Sequence, residues 1–448
     1  MTRRTFAQVT GTALAIGLTR PIKSSSSDGL VAASLEAAPS RQAIAGQTVQ
    51  LLAYNGQLPG PLFELHPGDT FGIQFKNSLA EATNLHFHGL HVSPSGDSDN
   101  PLRMVAPGET ATYEIQLPNN HAAGTFWYHP HMHGSTAKQV FGGLSGAIIV
   151  RGDLDAIPEI AAAAEAVLML KDFTFDSSGR VVGASLMERV QGREGRIVTV
   201  NGDVSPTLGI QQDGLLRCRA INASSSRYYR LKVEEHPLGL IATDGGALPR
   251  VDWRDEVLIV PGQRVEFLLQ GNRTPGVYRV LNLPYNRGAM GYLTSTSLLL
   301  GQLTYSGRAD QAVPPPDSLA SVEPLPLSRL PLRTFQLSQG MMMSFDINGR
   351  TFNPNRIDTS VQLNSTEDWE LVNNSQMDHP FHIHTNPFQL VGANGIAEPA
   401  WRDVVNVPRF TRQRIRMRFS DFTGTTVYHC HILDHEDLGM MGVLEIRG

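Results

Sequence analysis

Four His-x-His pairs mark this chain: His86/His88, His129/His131, His382/His384 and His429/His431, drawn from 15 histidines in 448 residues. On a strand, residues i and i+2 share a face, so each pair presents two imidazoles in one direction. One such pair is an ordinary feature of a surface or core. Four pairs in two separated stretches can converge eight imidazoles on one site, and neutral imidazole is a common metal ligand. Cys430 lies between His429 and His431, so its sulfur points to the opposite face of the same strand. His379 precedes the third pair, while His435 and Met440 follow the fourth. Two imidazoles, a thiolate and a weak thioether are the donors of a blue-copper electron-transfer centre. Zinc accepts Cys and His, but it has no redox chemistry and gives no reason for eight further histidines.

The elements that hold these residues are strands. Gly (42) and Pro (28) are plentiful, and short runs such as residues 73–76 and 414–419 alternate apolar with polar side chains. Residues 160–169 are the main candidate for a short helix. An internal repeat sets the number of units. Asn-Gly occurs at Asn55-Gly56, Asn201-Gly202 and Asn348-Gly349, at spacings of 146 and 147. Gly124-Thr125-Phe126-Trp127-Tyr128-His129-Pro130-His131 matches Gly424-Thr425-Thr426-Val427-Tyr428-His429-Cys430-His431 at an offset of 300, and Leu144 stands where the second copy has Met440. The middle copy has Gly276-Val277-Tyr278-Arg279, without histidines. Three β-sandwiches are therefore expected at residues 36–151, 166–307 and 332–448. Linkers fall at residues 152–165 and at the proline-rich 308–331. The first and third units carry the chemistry, and the middle one is a spacer and a wall for the substrate cleft.

The bulk properties narrow the class. A net charge of −5 with no long basic run argues against a nucleic-acid partner. No segment of the mature chain has the roughly 18 uncharged apolar residues of a membrane span. Arg3-Arg4 ahead of an uncharged stretch reads as a twin-arginine export signal within a leader at residues 1–35. The expectation is a folded protein carried by that machinery to the periplasm or another extracytoplasmic space. The two cysteines, Cys218 and Cys430, look unsuited to pairing; Cys218 sits in a strand-like run as a small buried hydrophobe.

The stretches His86-Phe87-His88-Gly89, Trp127-Tyr128-His129-Pro130-His131-Met132-His133-Gly134, His379-Pro380-Phe381-His382-Ile383-His384 and residues 429–441 resemble the four copper motifs of the multicopper oxidases. The family includes three-domain bacterial laccases and periplasmic cuprous oxidases. The resemblance implies an all-β chain of three consecutive cupredoxin-like Greek-key sandwiches holding four copper ions. Carried over, it makes His379, Cys430, His435 and Met440 the type 1 ligands, and His86 and His382 the type 2 ligands. His88, His129, His131, His384, His429 and His431 become the type 3 ligands, leaving His133 a supporting role. The implied activity couples four one-electron donor oxidations to reduction of dioxygen to two waters. Electrons would pass from Cys430 to the histidines that flank it. Asp97, nine residues after His88, and Glu436 resemble the family's proton-relay carboxylates, although Asp99 is equally acidic and two residues from Asp97.

The expected donor is a phenol or aromatic amine, with a metal ion such as Cu(I) as the alternative. Met377 and Asp378 are candidates for the wall of a donor cleft. Met341, Met342 and Met343 form the one methionine cluster, a weak candidate for a cuprous site. A copper-sequestering protein or a non-catalytic structural one is the rival class; neither needs a cysteine wired between two cluster ligands.

Overall fold

The computed structural model describes residues 22–23, 30–288, 296–340 and 344–448. The twin-arginine motif and the three consecutive methionines lie outside them. Among the described residues the strands form six sheets, two to each unit. Sheets of five and four strands make the first sandwich, six and five the second, and five and five the third. Each unit has its own apolar core: one around Phe63, Phe71 and Tyr128, one around Leu168, Phe267 and Leu269, and one around Trp369, Phe381 and Tyr428.

The repeated Asn-Gly turns show why the units share one plan. Asn55, Asn201 and Asn348 all adopt positive φ (51°, 55° and 57°), followed by a positive-φ glycine. Asparagine tolerates this region because its short side chain bonds locally. Here it also reaches a preceding strand. Asn55 Oδ1 accepts from Glu36 N and its Nδ2 donates to Ser34 O. Asn201 makes the same pair of bonds with Met169 N and Val167 O, and Asn348 with Gln336 N and Thr334 O. One side chain thus clamps two strands in each copy.

The helix expected over residues 160–169 is replaced by a short helix, Pro158–Ala162, and a strand, Ala164–Phe173. That strand is buried on both faces and pairs in parallel with Leu215–Asn222, so its continuous apolar run is a sheet-centre pattern rather than a helical one. Cys218 lies on the partner strand, fully buried, and both cysteines are free.

The first and middle units meet at a buried ionic network. Arg217 and Arg219 both bind Glu266, and Glu266 also accepts from Thr125 Oγ1 of the first unit at 2.7 Å. No helix among the described residues is long and apolar enough to cross a membrane.

Candidate metal centre

Cys430 ends the strand Gly424–Cys430, paired antiparallel to His379–Ile383 with Phe381 opposite Cys430 and His382 opposite His429. The chain then turns into the helix Leu433–Asp437, which brings His435 back over the sulfur. Cys430 Sγ lies 3.4 Å from His379 Nδ1 and 3.9 Å from His435 Nδ1. The far nitrogens of both rings are held. His379 Nε2 meets Ser375 Oγ at 2.8 Å, and His435 Nε2 meets the Val190 carbonyl of the middle unit at 3.0 Å. Phe345 stacks on His435 at 3.8 Å. Met440 is fully buried in the same core, and its backbone bonds both Cys430 N and His435 O. Burial pushes the Cys430 thiol up, so a thiolate here requires a cation beside it. Burial, and then the Arg287 guanidinium, takes His379 down to about 3, leaving its ring neutral.

On the other face of that strand, eight buried imidazoles from the first and third units converge. His86 stacks on His384 at 3.7 Å and His88 on His382 at 3.9 Å, ring on ring across the domain boundary. His131 Nε2 and His384 Nε2 lie 3.1 and 3.2 Å from His429 Nε2. His129 Nε2 lies 3.4 Å from His88 Nδ1. The His431 ring faces both, with centroid distances of 4.9 Å to His88 and 5.7 Å to His129.

Backbone carbonyls set several of these rings. His129 Nδ1 donates to Pro130 O, His382 Nδ1 to Asp403 O, and His429 Nδ1 to Cys430 O. Each therefore turns its Nε2 inward. Burial, and then the neighbouring imidazoles, hold seven of the eight rings well below the ordinary histidine pKa. The Nε2 atoms of His86, His382 and His431 are buried without a hydrogen-bond partner. A buried unmatched acceptor costs about 1–3 kcal/mol, and facing lone pairs cannot satisfy one another. A bound cation satisfies them all. The donor set fits copper: imidazoles at one site, and two imidazoles with a thiolate at the other.

Of the two acids in the loop after His88, the one beside the cluster is Asp99, not Asp97. Asp97 is 71% exposed and pairs with Arg103 at 3.2 Å, so it does not reach the histidines. Asp99 is 1% exposed; both its oxygens lie 3.0 Å from His86 Nδ1, and Phe87 N donates to it. Burial raises Asp99 to about 6. The loop over residues 95–99 folds outward at Asp97 and inward at Asp99, a choice that spacing from His88 does not encode. Glu436 is where the sequence pointed: fully buried, with Oε2 3.2 Å from His429 Nδ1 and Oε1 3.7 Å from His131 Nε2. Burial, and then the Asp437 charge, raise its pKa well above the ordinary value. Asp403, absent from the sequence reading, contacts His88 Nε2 at 3.0 Å. It carries no motif signal.

His133 stays outside both clusters, packed on Phe352. Asp378 is buried and accepts from Tyr285 Oη, Asn406 Nδ2 and Arg409 N, a knot between loops rather than a cleft wall. Met377 does line a cavity of about 450 Å³ next to the thiolate site, with Met187, Val190, Gln191, Ser375 and Phe410.

Multicopper oxidase family models match residues 37–155, 164–302 and 328–447. The chain belongs to the multicopper oxidase family. It is 31% identical over 405 residues to multicopper oxidase mco of Staphylococcus haemolyticus, covering 88% of this chain and 83% of that one. It is similar to the solved structure of a multicopper oxidase from Campylobacter jejuni, described as a metallo-oxidase, with a TM-score of 0.86, 32% identity and coverage of 97% and 94%. It is also 27% identical to the cell division protein FtsP of Xenorhabdus nematophila, over 89% of this chain and 85% of the relative.

Proposed function

We propose that this protein is a laccase-like oxidase that couples four one-electron oxidations of a phenolic or aromatic amine donor to reduction of dioxygen to two waters. The observation that carries the reading is the strand end at Cys430. Its sulfur belongs to one donor set, while its neighbours His429 and His431 belong to the other. His379, Cys430, His435 and Met440 would hold the type 1 copper. His86 and His382 would hold type 2, and His88, His129, His131, His384, His429 and His431 the type 3 pair. Copper bound there supplies single-electron storage at the thiolate and oxygen reduction among the imidazoles. The chain does the rest. Cys430 and its two neighbours give a covalent path between the sites. Glu436 places a carboxyl beside His429 where a proton can be exchanged, and Asp99 orients His86.

The donor reading rests on the cavity beside His379. Among the described residues, its lining of Met187, Val190, Gln191, Gln339, Asn374, Ser375, Gln376, Met377 and Phe410 carries no carboxylate, which suits a neutral aromatic better than Fe(II) or Mn(II). A cuprous oxidase is the second reading, favoured by the thioethers of Met187, 59% exposed, and Met377. The structural role of an FtsP-like protein fits less well, because such a role needs no complete donor set. The twin-arginine motif supports an extracytoplasmic location. Oxygen uptake by copper-loaded protein tests the reading: faster uptake with a phenol than with Cu(I) is expected. The reverse order makes the protein a metal-ion oxidase, and no uptake with either sinks the oxidase proposal.

A further inference from the structure

The middle unit carries no copper motif, yet one of its arginines reaches the histidine cluster. Arg264 begins the strand Arg264–Gln270 and is 1% exposed. Its Nη1 and Nη2 donate to Asp403 Oδ1 and Oδ2, both at 2.6 Å, a bidentate fork. The guanidinium is fixed from behind by the carbonyls of Thr125, Asp244 and Gly262. Asp403, from the third unit, then touches two cluster histidines. Its Oδ1 lies 3.0 Å from His88 Nε2 and 3.4 Å from His382 Nδ1, and its backbone carbonyl accepts from His382 Nδ1 at 2.8 Å.

The fork gives this contact a fixed geometry. It pins both carboxyl oxygens of Asp403 and so sets Oδ1 against His88 Nε2. The other ring nitrogen, Nδ1, is then the one turned to His129 Nε2, at 3.4 Å. His129, His382 and His429 are set the opposite way, by carbonyls that hold the Nδ1 proton. The chain also makes room for the fork. Gly89 has φ +88°, and a Cβ there would lie 2.1 Å from Arg264 Nη2 and 2.7 Å from Asp403 Oδ2.

We propose that Arg264 and Asp403 are a positioning pair through which the middle unit fixes the ring orientation of His88, and holds His382 beside it. The pair thereby ties all three units to one cluster. This rests on the copper reading above, and the test separates the two. Wild type, Asp403→Asn and Arg264→Lys are loaded with copper. For each, the copper bound per chain, the blue colour of the thiolate site and the EPR spectrum of the non-blue copper are measured. Asp403→Asn keeps the size of the side chain but removes its charge. It should weaken copper binding at the histidines about 10- to 100-fold and change the non-blue EPR spectrum, with the blue colour kept. Arg264→Lys keeps a cation without the fork and should move the same signals in the same direction, by less. A merely structural pair would lower the melting temperature and leave the spectrum of bound copper unchanged. A folded, blue variant with wild-type copper content and EPR spectrum overturns the proposal. If Asp403→Asn does not fold, Arg264→Lys decides alone. A wild type that binds no copper at the histidines overturns the copper reading itself.

Discussion

The same pair of strands is built twice in this molecule. Gly124–His129 runs beside Gly146–Val150 with Tyr128 opposite Gly146, and Gly424–Cys430 runs beside Met441–Arg447 with Tyr428 opposite Gly442. In both copies the tyrosine ring covers the glycine so closely that a Cβ would approach within 2.2 Å or 2.5 Å. In both, the first histidine of the pair bonds the carbonyl of the next residue, Pro130 or Cys430. The copies differ where the thiolate site stands. Cys430 and Met440 in the third unit match Pro130 and Leu144 in the first, while His379 and His435 match Thr83 and Ser135. The histidine cluster needs both copies, and each lends a ring to the other. His131 joins His384 and His429, and His431 faces His88 and His129. The thiolate site is an addition to one copy only, so it can be removed without dismantling the cluster.

That asymmetry predicts the two largest effects. Cys430→Ser should abolish the blue colour and bring oxygen uptake to background, with copper still bound at the histidines. A blue variant would disprove the thiolate assignment. His131→Ala should do the reverse, keeping the colour and losing both cluster copper and oxygen uptake. If its cluster copper and turnover matched wild type, the idea that each copy lends a ring would be wrong.

How much of this was visible in the chain depends on distance along it. The donor residues lie in short motifs whose spacing states their geometry, so the convergence of the eight imidazoles, the grouping of His379, Cys430 and His435, and the three-sandwich plan were legible. Their supports were not. Asp403 meets His88 across 315 positions, Arg264 meets Asp403 across 139, and Val190 holds His435 across 245. A single Asp or Arg far from any motif carries no local signal of such a contact. For the same reason the middle unit reads as a spacer and cleft wall. It does line the cavity, through Met187, Val190 and Gln191, but it also grips ligands of both sites. At Gly262 its backbone runs so near the cluster that a Cβ would lie 2.7 Å from the His431 ring.

Glu436 sharpens the comparison from the acid side. The residue at the matching place in the first copy is Thr136, so only the third copy supplies a carboxyl between His429 and His131. Glu436→Gln keeps the shape and removes the acid. Turnover should fall about 10²- to 10⁴-fold, with copper content and blue colour unchanged. A variant as fast as wild type would show that protons reach the cluster by another group.

The smallest effect separates two acids that differ by two positions. Asp99 holds His86 Nδ1 with both oxygens from a fully buried position, so Asp99→Asn should weaken copper binding or activity about 10- to 100-fold. Asparagine can still accept one hydrogen bond, which keeps the loss below that of removing a ligand. Asp97 is solvent-exposed and pairs with Arg103, and exposed pairs contribute about 0–1 kcal/mol. Asp97→Asn should therefore leave copper content, colour and turnover at wild-type values. Both variants need only oxygen uptake and copper analysis side by side. A slow Asp97→Asn beside a normal Asp99→Asn would mean that the loop over residues 95–99 turns the other way in solution, with the nine-residue spacing from His88 restored as the guide to the acid.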